Sequence, residues 1–246
     1  MLKLLVIGES CLDVFNYGKC DRMCPDAPVP IFVSTKTKEN EGMAMNVANN
    51  VSSLGVECDI ITNKNWREVT KTRYIDDKTN QMLLRIDEGD DKVGECELEF
   101  AKEHLEQYDA IIISDYSKGF LGEEKIEEIS LAHNNVFLDT KKLLGPWCSS
   151  LKYIKINYYE HERTRHLIND NIKNKLIVTL GSNGCKHKEN IYSVPAVEIK
   201  DSSGGGDTFI AGLVAKYLET NDIREAIKFA NECATKVVQR RGVSVV

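Results

Sequence analysis

Short runs of β-branched and aliphatic residues alternate along this chain with segments of helical periodicity. The runs that we predict to be strands are Lys3 to Ile7, Cys58 to Thr62, Ala110 to Ser114, Val136 to Asp139, Tyr153 to Ile156 and Leu176 to Leu180. Most are nearly continuous in apolar residues, which is typical of strands buried on both faces. The pattern predicts an α/β fold with a doubly wound, mostly parallel sheet and helices on both of its faces.

Three segments between or after these strands have a helical apolar face. The first covers residues 43–54 and is followed by Gly55, a typical helix stop. The other two, residues 209–218 and 223–238, lie near the carboxyl end of the chain. Ligands of such sheets bind beyond the carboxyl ends of the strands, so we expect the functional site there.

Two segments do not fit this alternation of strands and helices. Val29 to Lys38 and Lys71 to Glu88 read as extended, half-polar strands. We interpret them as a small β lid, drawn from residues of about 9–38 and 70–90, on an otherwise single domain that spans residues 1–246.

The charge of the chain excludes some classes of function. It has 38 acidic and 32 basic side chains, for a formal net charge of -6. This balance argues against a protein that coats nucleic acid or an anionic membrane. No apolar run approaches the roughly 20 residues of a membrane span, and Met1 to Ile7 does not have the features of a signal peptide. The eight cysteines are spread singly, so we expect reduced thiols and a cytoplasmic location.

The sharpest local motif is the glycine-rich run from Asp201 to Thr208, which leads directly into an apolar-faced helix. Glycines let a ligand approach the backbone, and the first amides of a helix are unsatisfied donors, so the motif predicts an anion cradle. Asp207 at its tip is placed to accept a proton from an attacking hydroxyl. The alternative is a flexible turn in which Asp207 only caps the helix.

Asp201 to Asp207 is one of five stretches that carry a family resemblance. The other four are Gly8-Glu9-Ser10-Cys11-Leu12-Asp13, Glu41-Gly42-Met43-Ala44-Met45-Asn46-Val47-Ala48, Asn157-Tyr158-Tyr159-Glu160 and Thr179-Leu180-Gly181-Ser182-Asn183-Gly184. In this order they resemble the motifs of the ribokinase (PfkB-type) carbohydrate kinases. The resemblance implies a ribokinase-like fold and phosphoryl transfer from ATP, with Mg²⁺, to a sugar hydroxyl.

The resemblance also implies a role for each matching residue. Those next to the reacting groups would be Asp207 as the base, with Gly204, Gly205 and Gly206 as the anion hole. Sugar ligands would be Asp13, Gly42 and Asn46, and the distal phosphate of a sugar phosphate would meet Arg73, Arg85 and Lys118. Nucleotide ligands would be Thr179, Gly181, Gly184, Asp201 and Asn231. Mg²⁺ would be organised through water by Asn157 and Glu160, and K⁺ near Asp201 is left open.

Each of these residues also has a plainer interpretation. Asp13 could cap a turn, Asn46 could be an ordinary helix residue, and Glu160 could belong to a solvated charged face. Arg73 and Arg85 on strand-like segments could be surface residues.

Within that family, three further stretches are similar to the heptose 7-phosphate kinases: Pro25 to Pro30, Leu83 to Asp87 and Ser114 to Gly119. Related bifunctional enzymes continue into a nucleotidyltransferase domain, so we expect only the kinase step here. The alternatives are a kinase for another small polyol or nucleoside, or a relative that binds sugar or nucleotide without turnover. A lid with exposed strand edges also favours a homodimer through the lid.

The chain departs from the family pattern in three places. One β-α unit is expected between residues 58 and 71 and is missing from the sequence, so the sheet would be smaller at that edge or completed by a partner. Glu9 stands in place of Asp and Met43 in place of Gly, and we expect both to crowd the sugar pocket.

Overall fold

An eight-stranded sheet forms the centre of the molecule. The computed structural model describes residues 2–99 and 102–246. The strands of this sheet are β1 (Lys3–Gly8), β4 (Glu57–Ile61), β7 (Ala110–Asp115), β8 (Val136–Thr140), β9 (Tyr153–Asn157), β10 (Leu176–Thr179), β11 (Cys185–His187) and β12 (Asn190–Tyr192). They lie in the order β12-β11-β10-β9-β8-β7-β1-β4. All neighbours from β4 to β10 are parallel, whereas β10, β11 and β12 pair antiparallel.

Helices cover both faces of the sheet. They are α1 (Ala44–Ser53), α2 (Lys102–Leu105), α3 (Glu123–Ala132), α4 (Tyr158–Thr164), α5 (Asp170–Lys175), α6 (Gly205–Thr220) and α7 (Ile223–Val238). Leu4 and Val6 of β1 belong to a core cluster with α1, α6 and α7, while Leu5 and Ile7 belong to a second cluster with α3 and α5. Successive residues of a strand face opposite sides, so a continuously apolar strand can supply both clusters.

A separate four-stranded sheet forms the lid. Its strands are β2 (Ser10–Met23), β3 (Pro30–Met43), β5 (Thr70–Asp76) and β6 (Met82–Glu88), in the order β3-β2-β5-β6. Phe15, Tyr17 and Ile75 form a small apolar cluster, against which Val243 from the end of the chain packs. Asn40 Nδ2 donates to the Val243 carbonyl oxygen at 3.0 Å. Both contacts join the lid to the end of the chain at Val243.

The structure confirms the predicted α/β class and the doubly wound, mostly parallel sheet. Each of the six strands predicted for the central sheet is observed with ends shifted by at most one residue. In the lid, the predicted strand Val29 to Lys38 continues to Met43, and the predicted segment Lys71 to Glu88 is two strands, β5 and β6. The hairpin of β11 and β12 was not predicted, because strands of three residues with one exposed edge carry little periodicity. Residues 62–69 between β4 and β5 contain no helix or strand, and β4 is the last strand at its edge of the described sheet. None of the helices within the described ranges is long and apolar enough to cross a membrane.

Candidate active site

The glycine-rich run forms the amino-terminal end of α6. Gly204 precedes the helix with a φ of 78°, a left-handed conformation that favours glycine. A Cβ at this position would lie 2.8 Å from Asn46 Nδ2, and one at Gly206 would lie 2.9 Å from Lys155 Nζ. Side chains at these two positions would fill the space in front of the helix. The glycines therefore keep this space open, although the first amide of α6, that of Gly205, donates to the Ser202 carbonyl oxygen at 3.3 Å. The anion cradle stays a prediction.

Asp207, in the first turn of α6, is buried and held from two sides. Asn46 Nδ2 of α1 donates to its Oδ2 at 2.8 Å, and the Tyr116 hydroxyl donates to its Oδ1 at 2.7 Å. Burial raises the pKa of Asp207 to about 6, while these two hydrogen bonds oppose the rise. A carboxylate that titrates near neutrality is suited to accept a proton from an alcohol.

Three cavities surround this carboxylate. The central cavity, of about 730 Å³, lies in front of β8, β9 and β10. The lid cavity, of about 570 Å³, lies under the lid strands, and the helix-side cavity, of about 520 Å³, lies beside α7. Asp207 lines both the central and the lid cavity, as do Tyr116, Lys141 and Gly204. The central and lid cavities thus meet at the carboxylate.

The central cavity has the groups that bind polyphosphate and a divalent cation. Lys155 Nζ bonds Asp139 Oδ2 at 2.7 Å between neighbouring strands, and both residues line the cavity. Asp139 Oδ1 is buried and has no hydrogen-bond partner among the described residues. An unpartnered carboxylate oxygen beside lysines fits a hydrated Mg²⁺ and the phosphates that it accompanies.

Asn157 and Glu160 form a capping box at the start of α4. Asn157 Oδ1 accepts the Glu160 backbone N–H, and Glu160 Oε2 accepts the Asn157 backbone N–H, at 2.9 and 2.7 Å. Glu160 Oε1 also accepts from Asn157 Nδ2 and Lys141. Glu160 is 6% exposed, and only Asn157 of the pair lines the central cavity. Contact of Glu160 with Mg²⁺ through water stays a prediction.

The helix-side cavity is largely apolar. Its walls include Val194, Pro195, Ala196 and Val197 on one side and α7 on the other. It also contains most of the residues predicted to bind nucleotide: Thr179, Gly181, Gly184 and Asn231. Thr179 and Gly181 line the central cavity as well, so the two cavities adjoin at these residues. An apolar slot joined to a phosphate-binding space suits a nucleotide with its base in the slot.

The lid cavity is rich in charge. Arg73 on β5 and Arg85 on β6 lie opposite each other in the register and both line it. Arg73 Nη1 bonds Asp13 Oδ1 at 2.5 Å, and Arg85 bonds both carboxylate oxygens of Asp87. Five cationic side chains and three carboxylates line the cavity: Lys71, Arg73, Arg85, Lys118, Lys141, Asp13, Asp87 and Asp207. All five cations are ion-paired, Lys71 and Lys118 also with Asp90 and Lys141 with Glu160, so an anionic ligand would compete with these carboxylates for the cations.

Three other residues predicted to bind ligands, Gly42, Asn46 and Asp201, lie behind the cavity walls. Gly42 packs beneath Asp13, where a Cβ would lie 2.3 Å from Asp13 Oδ2. The carboxylate of Asp201 accepts the backbone N–H of Ser203 at 2.8 Å and of Gly242 at 3.1 Å. Gly42 therefore makes room for Asp13, and Asp201 holds the glycine-rich loop against the end of the chain.

The expectation that Glu9 crowds the sugar pocket is wrong. Glu9 is fully buried and does not line the lid cavity. Its carboxylate instead accepts the backbone N–H groups of Tyr116 and Lys118, both at 2.8 Å. Met43 does line the cavity, and its φ of 61° is one that glycine adopts more readily.

Sequence reasoning missed several groups around Asp207. They are Lys71, Tyr116, Asp139, Lys141 and Lys155. Two of them had a usable signal, because Asp139 and Lys155 are lone charges inside apolar strands that the topology makes neighbours. Buried charges in such strands are normally paired.

Comparison with known sequences finds a family model and curated proteins that are similar to this chain. The profile of the pfkB family carbohydrate kinases matches residues 150–245. The chain is 32% identical to the Bifunctional protein HldE of Helicobacter pylori strain J99, over 98% of this chain and 64% of that protein. It is 31% identical to the Bifunctional protein HldE of Escherichia fergusonii, over 99% of this chain and 61% of that protein. The chain thus spans less than two thirds of the length of these relatives.

Comparison with solved structures shows the ribokinase fold. A ribokinase from Thermotoga maritima superposes with a TM-score of 0.72 at 19% identity, over 99% of this chain and 95% of that one. The Helicobacter alignment extends over 295 residues, more than the 246 of this chain, so that relative contains residues without a counterpart here.

Proposed function

Because residues 150–245 place this chain in the pfkB family of carbohydrate kinases, we propose that it transfers the γ-phosphoryl group of ATP to a hydroxyl of a sugar phosphate of the heptose 7-phosphate type. One observation carries the proposal. Asp207 lies where the central cavity, which suits a nucleotide, meets the lid cavity, which suits an anionic acceptor.

In this reaction Asp207 accepts the proton of the attacking hydroxyl. Asn46 holds one oxygen of its carboxylate, so the other lone pairs remain available to the acceptor. The amides at the start of α6 and the Lys155 ammonium group face the transferred phosphoryl group from the central cavity. Mg²⁺, when bound near Asn157 and Asp139, would spread the negative charge of the phosphates. Closure of the lid would keep water from the donor.

The two arginines of the lid cavity support a phosphorylated acceptor. A neutral polyol needs hydrogen-bond partners such as the Asp13 carboxylate on the cavity wall, but it does not need two guanidinium groups. Arg73 and Arg85 converge on the cavity, and the planar guanidinium group is suited to bidentate binding of phosphate. The similarity to two bifunctional HldE proteins favours a heptose phosphate among sugar phosphates.

A coupled assay of ADP formation tests the proposal. The acceptor panel contains heptose 7-phosphate, fructose 6-phosphate, unphosphorylated heptose, ribose and a nucleoside. We expect the highest kcat/KM with the heptose phosphate, and loss of turnover when EDTA removes Mg²⁺. A preference for the nucleoside or a neutral sugar would overturn the substrate assignment. Nucleotide binding without turnover of any acceptor would favour the non-catalytic alternative.

The same preparation tests K⁺ dependence and the homodimer. Replacing K⁺ by Na⁺ in the assay measures whether the reaction requires K⁺, which the sequence leaves open. The outer face of β6 exposes Met82, Leu84 and Ile86, because Arg85 between them faces the cavity. We propose that this face forms a homodimer interface, and sedimentation of the wild type and of Leu84→Glu should give a dimer and a monomer respectively. A wild-type monomer at micromolar concentration would contradict this.

A further inference from the structure

The turn after β7 places a tyrosine hydroxyl on the proposed base. β7 ends at Asp115, and Tyr116 follows it directly. Its hydroxyl donates to Asp207 Oδ1 at 2.7 Å, across 91 residues of sequence. The partly buried ring lines both the central and the lid cavity. Tyr116 therefore lies between the central cavity and the lid cavity, and it contacts the Asp207 carboxylate where the two cavities meet.

The backbone of this turn is fixed by buried groups. The Glu9 carboxylate accepts the N–H of Tyr116 with one oxygen and the N–H of Lys118 with the other. Asp115 Oδ1 accepts the N–H of Ser117, whose φ of 58° is left-handed. A buried carboxylate with two amide donors is a strong local clamp. The Glu9 and Asp115 carboxylates thus fix the backbone that positions the tyrosine hydroxyl.

Each oxygen of the Asp207 carboxylate has its own donor in this arrangement. Asn46 holds Oδ2 and Tyr116 holds Oδ1. Two donors fix the plane of a carboxylate, which one donor leaves free to rotate about χ2. The lone pairs that remain are then directed at a constant angle towards the cavities.

We propose that Tyr116 is a positioning residue, whose hydroxyl orients the Asp207 carboxylate for proton transfer from the acceptor. This inference rests on the proposed function, since it assigns Asp207 the role of base. It adds a requirement that the glycine-rich motif does not contain, and it gives the turn of residues 114–119 a role in the reaction.

The hydroxyl also affects the titration of Asp207. The other groups that face this carboxylate are Asp139 of β8, Lys155 of β9, Lys141 after β8, Asn46 of α1 and Cys11 of the lid. Asp139 raises the pKa of Asp207, and Lys155, Asn46 and Tyr116 lower it. Removing the hydroxyl of Tyr116 should therefore raise the pKa of Asp207 further, because the charged form loses a donor.

Tyr116→Phe tests the inference, with Tyr108→Phe as a matched control. Tyr108 also donates its hydroxyl to an aspartate, Asp59 Oδ2 at 2.8 Å, but at the β4 edge of the sheet. We expect Tyr116→Phe to lower kcat roughly tenfold or more, as loss of a hydrogen bond to a charged group does, with little change in the KM for ATP. The acidic limb of its kcat profile should move to higher pH. Tyr108→Phe should match the wild type in both.

Two kinetic results would overturn the inference. One is a Tyr116→Phe profile that superimposes on that of the wild type. The other is a loss of turnover with an unmoved acidic limb, because it would show that the hydroxyl does not act through the base.

A measurement without turnover separates this inference from the proposed function. NMR titration of carboxyl-labelled aspartate, with the Asp207 signal assigned by Asp207→Asn, gives the pKa of Asp207 in each variant. A higher pKa in Tyr116→Phe than in the wild type and in Tyr108→Phe supports the contact, even in a chain that shows no kinase activity. An equal pKa in all three overturns it, whatever the enzyme does.

Discussion

The central sheet and the lid hold their parts of the candidate site by different means. The residues around Asp207 project from strand ends and helix starts whose side chains are packed on both sides, and Phe137 of β8 is fully buried. The lid residues project from strands that face solvent on the outside, and Leu84 of β6 is 54% exposed. Packing on both faces holds the first region, whereas a small apolar cluster and ion pairs such as Arg73 with Asp13 hold the second. The reacting groups therefore lie on the rigid part and the acceptor ligands on the adjustable part.

The sharpest test of the rigid part is Asp207→Asn. The amide cannot accept the hydroxyl proton, so kcat should fall by roughly two to four orders of magnitude. Nucleotide affinity should remain close to that of the wild type, because the nucleotide occupies the central and helix-side cavities. Steady-state kinetics and calorimetric titration with ATP measure the two effects. Turnover within tenfold of the wild type would remove Asp207 as the base.

The contribution of packing to the central sheet can be tested with Phe137→Ala. Phe137 contacts the rings of Tyr153 and Tyr217 at centroid distances of 6.0 and 5.6 Å. Its loss should lower the free energy of unfolding by about 3–5 kcal/mol, since it leaves a buried cavity. The control Val33→Ala on β3 of the lid, where Val33 is 55% exposed, should change it by roughly 0.5 kcal/mol or less. Urea unfolding measures both, and equal effects would contradict the contrast between the regions.

The pH dependence of the reaction tests the environment of Asp207. Its pKa of about 6 means that kcat should fall as the pH drops below 6, by about tenfold for each unit. The pKa is raised in the folded state, so the folded chain binds this proton more tightly than the unfolded chain does. Stability from this group is therefore lost as the pH rises from about 4 to 6. Asp207→Asn should gain stability relative to the wild type across that interval, which urea unfolding at several pH values checks.

The smallest expected effect concerns the lid and is specific to one class of acceptor. Arg85 is 43% exposed, and its ion pair with Asp87 on the same strand adds little to stability. Arg85→Ala should raise the KM for a phosphorylated acceptor about tenfold and leave that for a neutral sugar unchanged. Arg22→Ala, on an exposed part of β2, is the control. An equal rise for both acceptors would show that Arg85 does not bind the phosphate.

The sequence could predict features that depend on local patterns, but not contacts between residues that are distant in the chain. The strands of the central sheet and the helix after the glycine-rich loop follow from local periodicity, so their positions were predicted to within a few residues. Asp207 was predicted because glycines next to a helix start are a local signal. The contact between Tyr116 and Asp207 was not predicted, because the two residues are 91 positions apart in the sequence and only the order of the strands brings them together. The role of Glu9 was wrong for the same reason, since a sequence does not show which backbone amides a buried carboxylate meets.

Glu9 is also the single residue between β1 and β2, and thus between the main body and the lid. Besides its side-chain bonds, its carbonyl oxygen accepts the N–H of Ala44 at the start of α1. A swing of the lid about this hinge would pull on the clamp beneath Tyr116 and on the helix that carries Asn46. Opening the lid to exchange ligands would then weaken the hydrogen bonds that Asn46 and Tyr116 donate to Asp207. The base would be correctly oriented only while the lid is closed and water is excluded.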